Sequence, residues 1–181
     1  DTIDYSGYGL SGISTGGVDC TAVEGAPGYG GGCSFDGGVA TYLYMGEPAW
    51  TDGMAGVFSA LANTDTVTGS DRAITRLQED GTDYLSLMVD NSAAVNDNPY
   101  FIMYQTTHIY DIKTDDPITI NNWWNFVGRQ GGGGLSYSGA STYFNNTKQA
   151  SEDASEEFTK DLAAASDLYV GGCTAGCSTS G

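Results

Sequence analysis

The fold is decided by one stretch of the sequence: Arg72-Ala-Ile-Thr-Arg-Leu-Gln78, then Glu79-Asp-Gly-Thr82, then Tyr84-Leu-Ser-Leu-Met-Val89. In the last segment Leu85, Leu87 and Val89 fall on one face, and Ser86 falls on the other, which is the alternation of a half-buried strand. An Asp-Gly dipeptide between two alternating segments is among the stronger short-range signals for a hairpin. The stretch therefore predicts an antiparallel β-hairpin.

The same alternation predicts strands along most of the chain. A strand interrupted at Gly37-Gly38 is predicted over 33–45, with Leu43 facing the core and Tyr42 and Tyr44 on the outer face. Further strands are predicted at 53–62, 100–104, 109–112, 118–129, 135–137, 141–144 and 168–170. Residues 149–165 differ, because apolar side chains recur there at every fourth position, which is typical of a short helix or of a solvated excursion between strands.

Many short strands joined by glycine-rich turns are typical of a sandwich. We predict an all-β fold of two facing antiparallel sheets, of jelly-roll type, with at most one short helix near 150–164. A single domain over 1–181 is expected, with an irregular N-terminal segment at 1–27 and a tail at 173–181. Its interior is predicted to include Phe35, Leu87, Phe126 and Val170.

The net charge of the 181-residue chain is −17, from 23 acidic and 6 basic residues. Such a surface repels the phosphates of nucleic acids and of anionic lipids, so neither is expected as a partner. Three interpretations of the acidity stay open: solubility, adaptation to high salt, and binding of divalent cations. No apolar run approaches the roughly 20 residues that cross a bilayer, so direct membrane insertion is not expected.

The four cysteines form two local pairs, Cys20 with Cys33 and Cys173 with Cys177. An even count in a glycine-rich, lysine-poor chain predicts disulfides and an oxidising, extracellular compartment. Three pairings are possible, so a disulfide that joins the two ends of the chain stays open. The isolated Cys-x3-Cys spacing argues against zinc.

Several of these segments, taken in order, resemble the laminin-G-like, concanavalin-A-like jelly-roll family. They are Ser34-Phe-Asp-Gly37, the paired strands of 71–90, Trp123-Trp-Asn-Phe-Val127, Leu135-Ser-Tyr-Ser-Gly139 and Asp167-Leu-Tyr-Val-Gly-Gly172. The resemblance spans residues 28–172 and implies a domain used outside cells, or on a virus particle, for binding and adhesion. The sequence departs from the family pattern in two places. The opening strand, expected before residue 5, is short or missing, and the acidic insert over 148–165 is longer than usual. The first departure leaves a sheet edge for the N-terminal segment or a neighbouring molecule to supply.

Exposed aromatic side chains are the predicted ligand site. Tyr42 and Tyr44 on the outer face, with Trp50 in a separate loop, are suited to stacking on sugars or to contact with a protein surface. Asn145-Asn-Thr147 is a sequon for N-glycosylation, which matters only where the source glycosylates.

The resemblance also implies one Ca²⁺ at the rim of the sandwich. The loop with Asp90, Asn91 and Asp97 offers oxygen ligands, and Asp115 and Asp116 form a second candidate cluster. A plain polar turn, in which Asp and Asn side chains bond to their own backbone, is the alternative for both.

Catalysis is not expected. Relatives of this fold that cleave polysaccharides carry carboxylates at alternate strand positions, whereas Glu79-Asp80 and Glu152-Asp153 are adjacent and would point to opposite faces. His108 is the single histidine, and no nucleophile-elbow motif lies near it. The leading hypothesis is a lectin-like domain that binds a glycan or a protein surface. The alternative is a self-associating subunit of a capsid, spike or filament, and a glycan-cleaving enzyme comes last.

Overall fold

The computed structural model describes residues 12–28, 31–36, 41–48, 56–63, 72–80, 83–90, 98–105, 108–113, 118–130, 141–149, 153–154 and 166–172. Within these ranges the regular structure consists of fourteen strands, and no helix occurs there. The strands are β1 (Ile13–Thr15), β2 (Val18–Glu24), β3 (Gly31–Phe35), β4 (Tyr42–Tyr44), β5 (Gly56–Asn63), β6 (Arg72–Gln78), β7 (Asp83–Asp90), β8 (Asn98–Gln105), β9 (His108–Lys113), β10 (Trp123–Gln130), β11 (Ser141–Phe144), β12 (Thr147–Lys148), β13 (Asp153–Ala154) and β14 (Asp167–Val170).

The strands form two sheets and a separate ribbon. The large sheet has the order β1-β4-β14-β6-β7-β8-β9-β13, the small sheet has the order β12-β11-β10-β5, and the ribbon pairs β2 with β3. All of these pairs are antiparallel. The predicted hairpin is confirmed as β6–β7, and the Asp80 carboxylate accepts a hydrogen bond from the Asp83 amide at 3.0 Å, next to its turn.

The two sheets pack face to face and share one core, as the sequence predicted. Leu77, Leu85, Leu87 and Phe101 of the large sheet are fully buried. They form one cluster with residues of the small sheet, including Phe126. These side chains come from alternate positions of each strand, so one face of each sheet is apolar. The fold is therefore an antiparallel β-sandwich.

Gly128 shows how closely the sheets approach. It lies on β10 between Phe58 of β5 and Thr142 of β11. A Cβ atom added at Gly128 would lie 2.5 Å from Cε2 of Phe101, which belongs to the facing sheet. The glycine therefore provides the space that the Phe101 ring fills, which explains its place in the middle of a central strand.

Residues 12–28 correct the prediction of an irregular N-terminal segment. They contain β1 and β2, which pair with β4 and β3 respectively. β1 has only three residues and its partner β4 lies in another segment of the chain, so its own sequence carries almost no pattern. Residues 1–11 of the segment lie outside the described residues. The β1 strand covers the side of β4 that faces away from β14, so the N-terminal segment does supply a sheet edge.

The predicted interrupted strand over 33–45 is two strands in different sheets. β3 belongs to the ribbon, and β4 belongs to the large sheet. The ring of Phe35, at the end of β3, lies against Gly171, so a Cβ added at that glycine would collide with it. Phe35 and Val170 are half-buried and lie outside the core cluster of the described residues, whereas Leu87 and Phe126 are in it.

The helical spacing of 149–165 does not produce a helix at Asp153–Ala154. These two residues form β13 and pair with Asp111 and Tyr110 of β9. Most of the remaining predicted insert, the predicted strand at 135–137 and the tail at 173–181 lie outside the described residues.

Candidate functional site

The outward face of the large sheet carries a group of three tyrosines around one carboxylate. Tyr42 and Tyr44 come from β4, and Asp167 and Tyr169 come from β14. Tyr44 is directly opposite Tyr169 in the antiparallel register, and residues two apart on a strand share a face. We call these four residues the tyrosine cluster.

One tyrosine from each strand donates a hydrogen bond to the same carboxylate. The hydroxyl of Tyr44 donates a hydrogen bond to Oδ1 of Asp167 at 2.9 Å, and the hydroxyl of Tyr169 donates one to Oδ2 at 3.1 Å. A phenol bound to a carboxylate makes a charge-assisted hydrogen bond, which is stronger than one between neutral groups. The two bonds hold the two phenol groups in defined positions.

The rings also contact one another. The Tyr42 and Tyr169 centroids are 5.3 Å apart with their planes at 88°, so one ring presents its edge to the other. The ring centroids of Tyr44 and Tyr169 are 5.6 Å apart, and their planes lie at 48°. Such tilted and edge-to-face pairs are favoured geometries for aromatic rings. Tyr169 is 5% exposed, whereas Tyr42 and Tyr44 are half-buried, so the outer two rings are the accessible part of the tyrosine cluster.

The environment of Tyr44 keeps its hydroxyl protonated. The hydrogen bond to Asp167 raises the pKa of the Tyr44 phenol above its usual value, and burial raises it further. The negative charges of Asp167 and Glu47 act in the same direction. Tyr44 therefore remains a neutral hydrogen-bond donor across the whole physiological pH range, and it is not a base.

Next to the tyrosine cluster, side chains on the outward face of the large sheet are buried. Arg76 of β6 is directly opposite Tyr169, has no exposed surface, and lies with its guanidinium carbon 3.4 Å from the centre of the Tyr84 ring. Beyond it, Ser86 is also fully buried and donates a hydrogen bond to the Thr75 carbonyl at 2.8 Å. Access to this face among the described residues is therefore greatest at Tyr42 and Tyr44, near the β4 side of the sheet.

Of the three predicted ligand residues, the structure places Tyr42 and Tyr44 together on the outer face, beside a buried Leu43. Trp50 lies outside the described residues, so its part stays a prediction. Asp167 and Tyr169 were missed as site residues. Their signal was the period-2 alternation of Asp167-Leu-Tyr169, which places both on one face of the last strand.

The calcium prediction is not tested by the described residues. Asp90 ends β7, where it pairs with Asn98, and Asn91, Asp97, Asp115 and Asp116 lie outside the described ranges. Among the side chains that the structure does describe, no group of three or more His, Cys, Asp or Glu residues could hold a metal ion.

The disulfide between Cys20 and Cys33 is present and joins β2 to β3. It lies where the register of the ribbon shifts, between the pairs Asp19–Ser34 and Val23–Gly32. Cys173 and Cys177 lie outside the described residues, but the pairing of Cys20 with Cys33 excludes a bond from either residue to the C-terminal cysteines.

Asn145 is exposed and lies in a tight turn between β11 and β12. Asn145 and Asn146 both have positive φ, at 47° and 67°, and Phe144 pairs with Thr147 across them, which is the geometry of a two-residue type I′ hairpin. Oδ1 of Asn145 accepts a hydrogen bond from the Asn125 amide at 2.9 Å. The sequon therefore lies at an accessible hairpin tip.

A disulfide is compatible with an extracellular location. None of the described residues belongs to a helix long and apolar enough to cross a membrane. No protein-family model matches the sequence, and no curated protein matches it.

Proposed function

We propose that this chain is a non-catalytic, lectin-like domain of the concanavalin-A-like type that acts outside the cell or on a particle surface and binds a glycan through the tyrosine cluster. One observation carries the proposal. Tyr42 and Tyr44 are accessible on the outer face while the carboxylate of Asp167 and the ring of Tyr169 hold the cluster in place.

The tyrosine cluster offers the two kinds of contact that a sugar requires. A pyranose ring has apolar C–H faces that stack on aromatic rings, and hydroxyls that need fixed hydrogen-bond partners. Each Asp167 oxygen accepts one phenol hydrogen bond, and a carboxylate oxygen has a second lone pair that can accept from a sugar hydroxyl. Because the phenols are already positioned, little conformational entropy is lost when a ligand binds.

Charge narrows the glycan class. The net charge is −17, and the carboxylate of Asp167 lies within the tyrosine cluster. Sialylated, sulfated or uronic acid sugars would be repelled. The proposed ligand is therefore a neutral glycan.

The test is binding to an array that carries matched neutral and sialylated glycans. We expect the neutral glycans to bind, and Tyr42→Ala, which removes an accessible ring, to weaken binding about tenfold or more, as the loss of a stacking contact requires. Tyr143→Ala is the matched control, because Tyr143 is also a half-buried tyrosine but lies on β11 of the other sheet. Binding that is equal in Tyr42→Ala and wild type, with thermal unfolding unchanged, would contradict the proposal.

Two further arms separate the alternatives. Asp167→Asn keeps the shape of the side chain but removes its charge and one acceptor oxygen, so loss of glycan binding there shows that the carboxylate is required, as an acceptor for the sugar or for the two phenols. Loss of binding in a chelator, and its recovery with Ca²⁺, would support the predicted calcium site in the loop that begins after Asp90. A chain that binds no glycan but retains a protein ligand lost in Tyr42→Ala would assign the tyrosine cluster to protein recognition.

A further inference from the structure

We infer that β5 is an interface at which two copies of this chain pair edge to edge, in antiparallel orientation, through their small sheets. The inference does not depend on glycan binding. It would support the alternative hypothesis of a self-associating subunit.

β5 is a long strand at the end of a sheet. It has eight residues and pairs with β10 at all eight positions, without a register shift. In the described part of the chain, no strand pairs with its other edge. The other ends of the large and small sheets are much shorter: β1 has three residues, and β12 and β13 have two each. The seven-residue β2 of the ribbon is nearly as long as β5, but it carries Asp19 and Glu24 and its pairing has a register shift.

The sequence of β5 contains none of the features that usually protect an edge strand. Natural edges are blunted by charged side chains, proline or bulges. Gly56-Val-Phe-Ser-Ala-Leu-Ala-Asn63 has no charged residue and no proline. Val57 is 62% exposed, and it is one of only a few large apolar side chains so exposed among the described residues. Among the described residues, the edge is therefore open to strand addition.

Charge identifies a second copy as the occupant. Two chains that each carry −17 repel one another over most of their surfaces, because like charges in contact are destabilising. A strand without charge is a surface on which identical acidic chains meet with the least repulsion. A basic partner, by contrast, would find no carboxylate on β5 to bind.

The pattern of β5 is also self-complementary. In an antiparallel pair, directly opposed residues share a face. With Ser59 opposite Ser59 of the second copy, Val57 lies opposite Leu61, and Phe58 lies opposite Ala60. The outward side chains Val57 and Leu61 then bury each other, and the inward side chains extend the core face. Two four-stranded sheets become one continuous sheet.

The first experiment is sedimentation of the purified chain at low and high salt. We expect a dimer that tightens as salt rises, because salt screens the repulsion between the two acidic chains. Val57→Glu places a carboxylate opposite the apolar Leu61 of the second copy, so the outward apolar contact is lost and a charge is buried at the interface. It should raise the dissociation constant of the dimer about tenfold or more. Val57→Thr is the matched control, because it keeps a β-branched, uncharged side chain and should leave the dimer intact.

The second experiment tests the register. Ser59→Cys should form a disulfide-linked dimer on mild oxidation, since opposed residues of an antiparallel pair lie within disulfide reach. Thr147→Cys, on exposed β12 at the other end of the same sheet, should not. A monomer at every salt and protein concentration would overturn the inference. So would a dimer that Val57→Glu, folded as judged by its unfolding transition, leaves unchanged.

Discussion

Gly128→Ala tests the packing of the two sheets directly. The glycine is buried in the middle of the small sheet, and the ring that faces it, Phe101, has no exposed surface. An added Cβ would lie 2.5, 2.6 and 2.8 Å from three carbons of that ring. Carbon atoms in ordinary contact are about 3.5–4.0 Å apart, so the ring or the strand must move by about 1 Å.

The cost of that movement follows from the surroundings of the ring. Phe101 belongs to a cluster that includes Leu87 and Phe126, and protein interiors are packed too densely to accept a displaced ring without strain. Overpacking of this kind typically costs 1–3 kcal/mol. We expect Gly128→Ala to lower the free energy of unfolding by about 2 kcal/mol, which for a chain of this size is a fall in Tm of roughly 4–8 °C.

The assay is urea unfolding followed by tryptophan fluorescence, with a double-mutant cycle as control. Phe101→Leu removes part of the ring, so the alanine methyl fits better in that background. The double variant should therefore be more stable than the sum of the two single effects, by 0.5 kcal/mol or more. If Gly128→Ala is as stable as wild type, or if the two effects simply add, the two residues are not in contact and the sandwich described above is wrong.

Three further predictions concern other parts of the molecule. Above the pH of ordinary tyrosine ionisation, near 10, the stability that Tyr44 contributes should be lost as the pH rises through its raised pKa; a titration of unfolding free energy should show a smaller alkaline loss in Tyr44→Phe than in wild type. Replacing both Cys20 and Cys33 by serine should lower the unfolding free energy by about 3 kcal/mol in the loop-entropy model, and a change below about 1 kcal/mol would show that the ribbon does not unfold with the sandwich. Gly171→Ala should lower the unfolding free energy because Gly171 has a φ of +80° and touches the Phe35 ring. In a Phe35→Ala background the steric part of this loss should disappear and the backbone part should remain. If Gly171→Ala costs nothing in that background, the backbone-strain argument is wrong.

Local sequence patterns were sufficient to predict an element where its own residues determine its structure. The hairpin β6–β7 was predicted because alternation and an Asp-Gly turn both lie within one short stretch. The outer position of Tyr42 and Tyr44 followed from the buried Leu43 between them.

The errors arose where the outcome depends on distant partners. Alternation cannot show which sheet a strand joins, so it predicts one interrupted strand over 33–45, although β3 and β4 belong to different sheets. β1 became visible only through its pairing with β4, because its three residues carry almost no pattern of their own. The helical spacing at 149–165 was overridden at Asp153–Ala154 by pairing with β9.

For the same reason, the sequence predicted only the β4 residues of the tyrosine cluster, Tyr42 and Tyr44, and not Asp167 and Tyr169. Tyr44 and Asp167 are 123 positions apart, and their hydrogen bond exists because β14 returns to pair with β4. The sequence assigns each residue to a face of its own strand, but only the register places one tyrosine opposite the other.

The two proposed surfaces lie on different sheets, and this separation has a consequence. The tyrosine cluster is on the outward face of the large sheet, whereas β5 is at the end of the small sheet. Pairing at β5 would therefore leave both clusters open, and a dimer would present two glycan sites on one particle. Two linked sites bind a multivalent surface more tightly than either site alone, without any new contact.

That consequence separates the two proposals by experiment. Val57→Glu should weaken binding to a densely glycosylated surface while leaving the affinity for a single soluble glycan unchanged, since β5 does not touch the tyrosine cluster. Tyr42→Ala should weaken both. If Val57→Glu lowers the affinity for the soluble glycan as well, then β5 and the cluster are not independent, and the arrangement of sites on opposite layers of the sandwich does not hold.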